Sequence, residues 1–411
     1  MPYQDAPEGE GGVLPWSTKP LHPYIKITSG QSPSKFRFGA VGTPYFKVEQ
    51  LGRTHKFLSR ETTPYLSTDV PSVPEGSVVF AKRGAAIALN RVRLLAEPGF
   101  MDTNLMALTP TAGLDSEYLF YALLHRGLWD IADVTSVPQI NNKHIKPLEL
   151  PIPLLEEQRA IVAVLTAADE AVGSLERLIS KKVDVRTGLE QQLLSGRSRH
   201  PGFSEPWLTT TLGERGIFLK GRGIRREDIR ASGVSCIRYG ELYTTYRNYT
   251  TDAVSHVDET VASRALPLRK GDLLFASSGE TREEIGMCVA WLGERPAVAG
   301  GDIIVFRSQG VDSAFLASLM NTPPIASQKA RMGQGDAVVH INSRGLSDIS
   351  LRLPALDEQE AVAGVLSNAD AEIRLLEKRL IKARRVKVGL MQELLSGRTR
   401  LPVVEPVPVP V

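Results

Sequence analysis

Apolar residues outline two long helices before any other feature of the chain. In residues 153–199, Ile161, Leu165, Ala168, Val172, Leu175 and Ile179 step by four and three, and Leu189 and Leu193 resume the row. In residues 354–400 the row is Val362, Leu366, Ala369, Ile373, Leu376, Leu380, Ala383, Leu390 and Leu394. This spacing lays one apolar stripe along each helix, the seam of a coiled coil. Pro153 with Glu156, and Pro354 with Asp357, suit helix starts, where amide hydrogens lack partners and negative charge is favoured. Gly196 and Gly397 stand where a left-handed C-terminal cap is expected. Lys182 and Arg186 interrupt the first seam and Lys387 the second, which suggests places where the helices splay or meet another chain.

The two stretches are copies. Residues 153–199 and 354–400 align without a gap at an offset of 201, with 22 of 47 positions identical. Glu157-Gln158 matches Glu358-Gln359, Ala168-Asp169 matches Ala369-Asp370, and Leu193 to Arg197 matches Leu394 to Arg398. A duplicated seam within one chain predicts that the helices pack on each other, antiparallel and about a pseudo-two-fold axis. The alternative is two amphipathic helices, each packed on its own domain.

The repeat continues more weakly upstream. Val78-Val79-Phe80-Ala81 with Gly84 resembles Leu273-Leu274-Phe275-Ala276 with Gly279, two buried strands entering turns. Asp115 and Asp312 precede apolar stripes as N-caps of short helices. Val137 to Asn141 falls in register with Val338 to Asn342. The fold class is therefore α+β: two domains of similar fold, each followed by a long helix, the helices forming an antiparallel coiled coil. The expected divisions are a flexible tail at 1–20, a first recognition domain at 21–152, a helix at 153–200, a second recognition domain at 201–352, a helix at 353–400, and a Pro/Val tail at 401–411.

Composition narrows the function. The formal net charge is only +3, compatible with nucleic acid without requiring it, so the placement of charge matters more. Two cysteines, Cys236 and Cys288, supply neither a disulfide framework nor a zinc site. No apolar run approaches the roughly 18 residues that span a membrane, and the first twenty residues lack the pattern of a signal peptide, so a cytoplasmic protein is expected. Gly-Lys is absent, which excludes a phosphate-cradling Walker loop. Asn321-Thr322-Pro323-Pro324-Ile325 lacks the aromatic residue that would clamp a flipped base and reads as a helix-ending loop. The histidines show no metal-ligand spacing. A non-catalytic chain without metal or cofactor is the expectation.

With this repeat, the helix-opening Glu157-Gln158 and Glu358-Gln359 pairs, and the passage from Ser195 through Phe203 to Trp207 and Leu212-Gly213-Glu214, the chain resembles the specificity subunits of Type I restriction–modification systems over about residues 21–400. The resemblance implies two target-recognition domains, each reading one half of a split, asymmetric sequence in double-stranded DNA. It also implies two helices acting as a spacer, with two methyltransferase and two restriction/translocase subunits docked around them. Adenine methylation and ATP-dependent cleavage, with S-adenosylmethionine, ATP and Mg, would then belong to those partners.

Base reading requires donors and acceptors that reach groove edges, whereas dispersed cations hold phosphates. In the first domain the candidates are Lys82, Arg83, Asn90, Arg91 and Arg93, with a second cluster of Gln139, Asn141, Asn142, Lys143 and His144. In the second they are Lys220, Arg222, Arg225 and Arg226, then Tyr246, Arg247 and Asn248. Ser277, Ser278, Thr281, Arg282, Arg331, Gln334, His340 and Asn342 complete that set. Asn141 and Asn342 share one repeat position, which favours a structural turn or a common docking role. Two other functions remain open: a subunit of a related multisubunit Type II system, and a DNA-free scaffold with two heads. A solvated surface remains the plain alternative for each single charge.

Overall fold

A computed structural model describes residues 16–402 except 134–135 and 336–337, so the N-terminal tail up to residue 15 and most of the Pro/Val tail lie outside the described residues. The chain forms two compact units, one built from the residues through Glu176 together with those from Lys378, the other spanning Arg177–Glu377. Each unit holds one α+β domain and a stretch of both long helices.

In the first unit a five-stranded sheet runs in the order Ile25–Ser29, Leu105–Pro110, Val78–Ala81, Arg93–Leu95, Phe57–Leu58. All neighbours are antiparallel except the last pair. Val78–Ala81 is buried on both faces, as its unbroken apolar run requires. The second unit repeats this order with Gly216–Lys220, Ile303–Ser308, Asp272–Ala276, Cys288–Trp291 and Tyr249–Thr250, again with a parallel last pair. Each domain adds a smaller sheet whose shared element is a parallel pair: Thr43–Phe46 beside Phe100–Met101, and Val234–Ile237 beside Ala297–Ala299. Asp115 caps Ser116–Arg126 by accepting from the Glu117 and Tyr118 amides, and Asp312 caps Ser313–Met320 by accepting from that of Phe315.

The long helices are Leu155–Leu194 and Leu356–Leu395, of 40 residues each and so about 60 Å at 1.5 Å per residue. Gly196 and Gly397 close them with φ of 69° and 77°. Along the seam, Ile161, Leu165, Leu193, Val362, Leu366, Ile373, Leu376 and Leu394 are buried. Ala168, Val172, Leu175, Ile179, Leu189, Ala369, Leu380, Ala383 and Leu390 are partly buried, and none is exposed.

The helices run antiparallel within each unit. In the first, Glu157, Asp169 and Glu176 meet Arg400, Lys387 and Arg384 in turn. In the second, Lys182, Arg186 and Arg199 meet Glu372, Asp370 and Glu358. The charges that interrupt the seams are thus not splay points: Lys182, Arg186 and Lys387 pair with carboxylates of the opposite helix. Two of the pairs occupy equivalent repeat positions, Asp169–Lys387 with Asp370–Arg186 and Glu157–Arg400 with Glu358–Arg199.

The glutamines beside those glutamates fasten domain to helix. Gln158 Oε1 accepts from the Asp115 amide at 2.8 Å while its Nε2 donates to the carbonyls of Pro153 and Gly113. Gln359 accepts from the Asp312 amide at 3.0 Å and donates to Pro354. The conserved spacing of the repeat therefore reflects a specific side-chain lock at each helix start.

The expectation of a tail at 1–20 is corrected at its end. Thr18–Pro20 pairs antiparallel with Glu149–Pro151, as Leu208–Thr211 pairs with Ser350–Leu353. Trp16 packs on Gly397 beneath Arg400, as Trp207 packs on Gly196 beneath Arg199. A strand with a partner and an anchoring indole are not tail-like.

Candidate nucleic-acid interface

Two polar clusters that lie far apart in each domain's sequence are brought together by backbone pairing. In the first domain Val78–Ala81 leads into Lys82-Arg83-Gly84, where Gly84 adopts φ of 73°, a value that favours glycine. Its amide donates to the Pro138 carbonyl at 2.9 Å, the Ile140 amide donates to the Lys82 carbonyl at 2.9 Å, and Arg83 bridges Gln139. In the second domain the Ile341 amide donates to the Ser277 carbonyl at 2.9 Å, and Ser278 and Gly279 pair with His340 and Val339. Ser278 Oγ lies 2.9 Å from His340 Nδ1. A Cβ on Gly279 would come within 2.9 Å of the Tyr243 hydroxyl, so this glycine answers a close approach.

The matching hydrogen bonds define equivalent positions. Lys82 corresponds to Ser277, Arg83 to Ser278 and Gln139 to His340. One backbone frame therefore carries Lys, Arg and Gln in the first domain and Ser, Ser and His in the second. Arg83 and His340 are exposed, and Lys82, Gln139, Ser277 and Ser278 partly so.

Surrounding groups support each frame. The Lys82 amide donates to the Asn104 carbonyl and that of Ser277 to the Asp302 carbonyl. Burial, followed by the neighbouring Arg83 charge, pulls the Lys82 ammonium below its ordinary pKa, with Asp102 opposing. Gln139 Nε2 donates to Asn141 Oδ1 at 2.9 Å. Lys143 and His144 lie 3.1 and 3.2 Å from the Asp133 carboxylate, whose pKa falls below the usual range mainly through the Lys143 hydrogen bond. Asn142 is exposed. Asn141 and Asn342 both stand at N-caps, the latter accepting from the Gly345 amide, which agrees with a structural turn.

In the second domain Arg282 reaches the carbonyls of Gly333 and Gly335, Thr281 approaches Glu284, and Gln334 pairs with His340 through the backbone. Arg331, Lys220, Arg222, Arg225 and Arg226 are exposed. Arg225 and Arg226 line a cleft of about 570 Å³ with Arg238, Tyr239 and Asp302. Arg238 and Tyr239 carry no signal of their own in the sequence, since they follow the short strand Val234–Ile237 and belong to no local motif.

Four candidates are engaged within the fold, three of them buried and Asn90 partly so. Arg93 is 8% exposed within its strand, donates to the Val92 carbonyl, and is pushed down to about 10 by burial and then by Arg91. Asn248 is buried against Glu190, Ser318 and Asn321, and the buried Tyr246 hydroxyl accepts from the Val254 amide. Asn90 turns a corner at φ of 44° and donates to the Leu124 carbonyl. These side chains serve the fold, because the polar groups they satisfy are internal. Arg91 remains exposed, whereas Arg247 approaches Asp370 at 3.7 Å. Among the described residues no group of three or more His, Cys, Asp or Glu could hold a metal ion, and no helix is long and apolar enough to cross a membrane.

Comparison with known proteins agrees with this architecture. Residues 15–183 match the Type I restriction modification DNA specificity domain. The chain is 24% identical over 308 residues to the Type I restriction enzyme MjaVIII specificity subunit of Methanocaldococcus jannaschii, covering 70% of this chain and 71% of that one. It is 22% identical to the putative MjaX specificity subunit of the same organism, covering 95% and 96%. Its fold matches the crystal structure of the Type I restriction–modification S subunit from M. genitalium with a TM-score of 0.59 at 18% identity, over 92% of this chain and 96% of that one. The resemblance read from the repeat therefore holds: residues 15–183 match the Type I restriction modification DNA specificity domain, and the chain shares its fold with a Type I restriction–modification S subunit.

Proposed function

We propose that this chain gives a restriction–modification complex its DNA sequence specificity, with domains 21–152 and 201–352 each reading one half of a bipartite, asymmetric duplex target. The supporting observation is the pair of equivalent frames with unlike chemistry, Lys82, Arg83 and Gln139 against Ser277, Ser278 and His340. Two heads that held identical copies of a partner would gain from identical polar surfaces. Two heads that read different base edges need different donors and acceptors on one scaffold. The exposed arginines around the second frame supply phosphate contacts that set affinity and orientation.

The long helices serve as spacer and docking surface. Apolar side chains lie exposed on them, Leu178 and Val185 on the first and Leu375, Ile381, Val386 and Val388 on the second, each between 39% and 54% accessible. Such side chains suit partner helices, and methyltransferase and restriction subunits are the partners that the relatives imply. Methyl transfer, cleavage and their S-adenosylmethionine, ATP and Mg belong to those subunits, in the cytoplasm. The test is competition binding of the complex with its methyltransferase to a target duplex and to random duplex across a salt series. Affinity for both should fall steeply with salt, from phosphate contacts, while preference for the target persists. Salt-independent binding, or no preference at any salt, contradicts the proposal.

A further inference from the structure

Arg238 is a polar group of the second domain held in place by one contact and otherwise uncommitted. It follows the strand Val234–Ile237 and lines the cleft with Arg225, Arg226 and Tyr239. Its Nε donates to Glu241 Oε1 at 2.7 Å. Among the described residues its two terminal nitrogens make no hydrogen bond, and 40% of the side chain is exposed. Glu241 is 4% exposed and is itself fixed, accepting from Ser255 Oγ at 2.5 Å and from the Arg238 amide at 3.2 Å. The guanidinium is thus held at Nε by a buried carboxylate, while its two terminal nitrogens keep their donors uncommitted among the described residues.

This arrangement differs from a solvated surface arginine in two respects. A flexible arginine loses side-chain freedom when it binds, whereas this one is already restrained by its Nε contact. A single carboxylate engaged at Nε leaves the terminal pair available for two parallel hydrogen bonds. In duplex DNA the major-groove edge of guanine, with O6 and N7, is the base edge that accepts such a pair. Phosphate is the competing acceptor, but a phosphate contact carries no base preference.

We propose that Arg238 is a specificity-determining residue that reads one guanine in the half-site of the second domain, with Glu241 as its positioning residue. The inference rests on the proposed DNA-reading function. It adds the residue, the base and the brace. The first domain carries Lys47 at the matching place, after the strand Thr43–Phe46, and a glutamine, Gln50, where Glu241 stands. That domain lacks the braced fork at this position, so the guanine contact belongs to one half-site alone.

The test uses the full chain in complex with its methyltransferase, as wild type, Arg238→Ala and Glu241→Gln. Each is offered a pool of duplexes randomised within the target sequence, and methylated molecules are sequenced. In Arg238→Ala, one guanine of one half-site should lose its preference by roughly 5- to 150-fold, the range that a bidentate arginine contact provides, while the other positions keep theirs. Glu241→Gln should weaken preference at that same position by less, with its thermal melting compared to wild type to confirm folding. An even loss of methylation across all sequences would make Arg238 a phosphate contact and overturn the inference, as would an unchanged profile. A wild-type complex with no sequence preference would instead defeat the broader function.

Discussion

Asp169 and Asp370 are the same residue of the repeat placed in two unlike surroundings. Asp370 accepts from Arg186 Nε at 3.0 Å, with both side chains nearly inaccessible, and Tyr249 and Arg247 approach it from the domain. Asp169 meets Lys387 with both partners about a quarter exposed, and accepts from the Tyr121 hydroxyl at 2.7 Å. Breaking a buried pair by removing one partner leaves an uncompensated charge away from water. Arg186 also pairs with Glu190, which remains when Asp370 is removed, so Asp370→Ala should lower unfolding free energy by about 3 kcal/mol, the lower end of the range for a broken buried pair. Asp169→Ala should cost roughly 1–3 kcal/mol, because water can reach the freed lysine. Denaturant unfolding of both variants checks this, and equal losses would contradict the difference in burial. At this scale the sequence was least legible. Arg93, Asn248 and Tyr246 look like contact residues by type, yet their partners lie in distant strands and helices that no local spacing reveals.

Among the elements, the two long helices were the most legible. A seam in steps of three and four, proline and acid at the start and glycine at the end are all local signals, and the burial of Leu165, Leu366 and Ile373 follows from them. The strand Thr18–Pro20 gave no such signal, being three exposed residues that end in proline and pair with a strand more than 125 residues away. The small sheets were hidden for a similar reason: the parallel pair Thr43–Phe46 and Phe100–Met101 matches Val234–Ile237 and Ala297–Ala299 in place but not in letters. A helix of fixed rise also makes a quantitative prediction. Inserting seven residues into both helices in register adds about 10 Å, and so should lengthen the unread gap of the target by about three base pairs. Sequencing the sites methylated by that variant checks it; an unchanged gap would show that the helices do not set the spacing.

At the scale of the whole molecule, duplication separates what is kept from what is changed. Sheet order, N-caps, the Gln158 and Gln359 locks and the paired carboxylates recur in both units. The side chains at the frames do not, and this contrast is what two readers of two different sequences require. The direct measurement is a map of methylated adenines in cells expressing the chain with its methyltransferase, compared with a variant carrying Ser277→Lys, Ser278→Arg and His340→Gln. A two-part motif with a constant gap is expected for the wild type, and in the variant a change confined to one half. A single uninterrupted motif, or a variant altered in both halves, would contradict it.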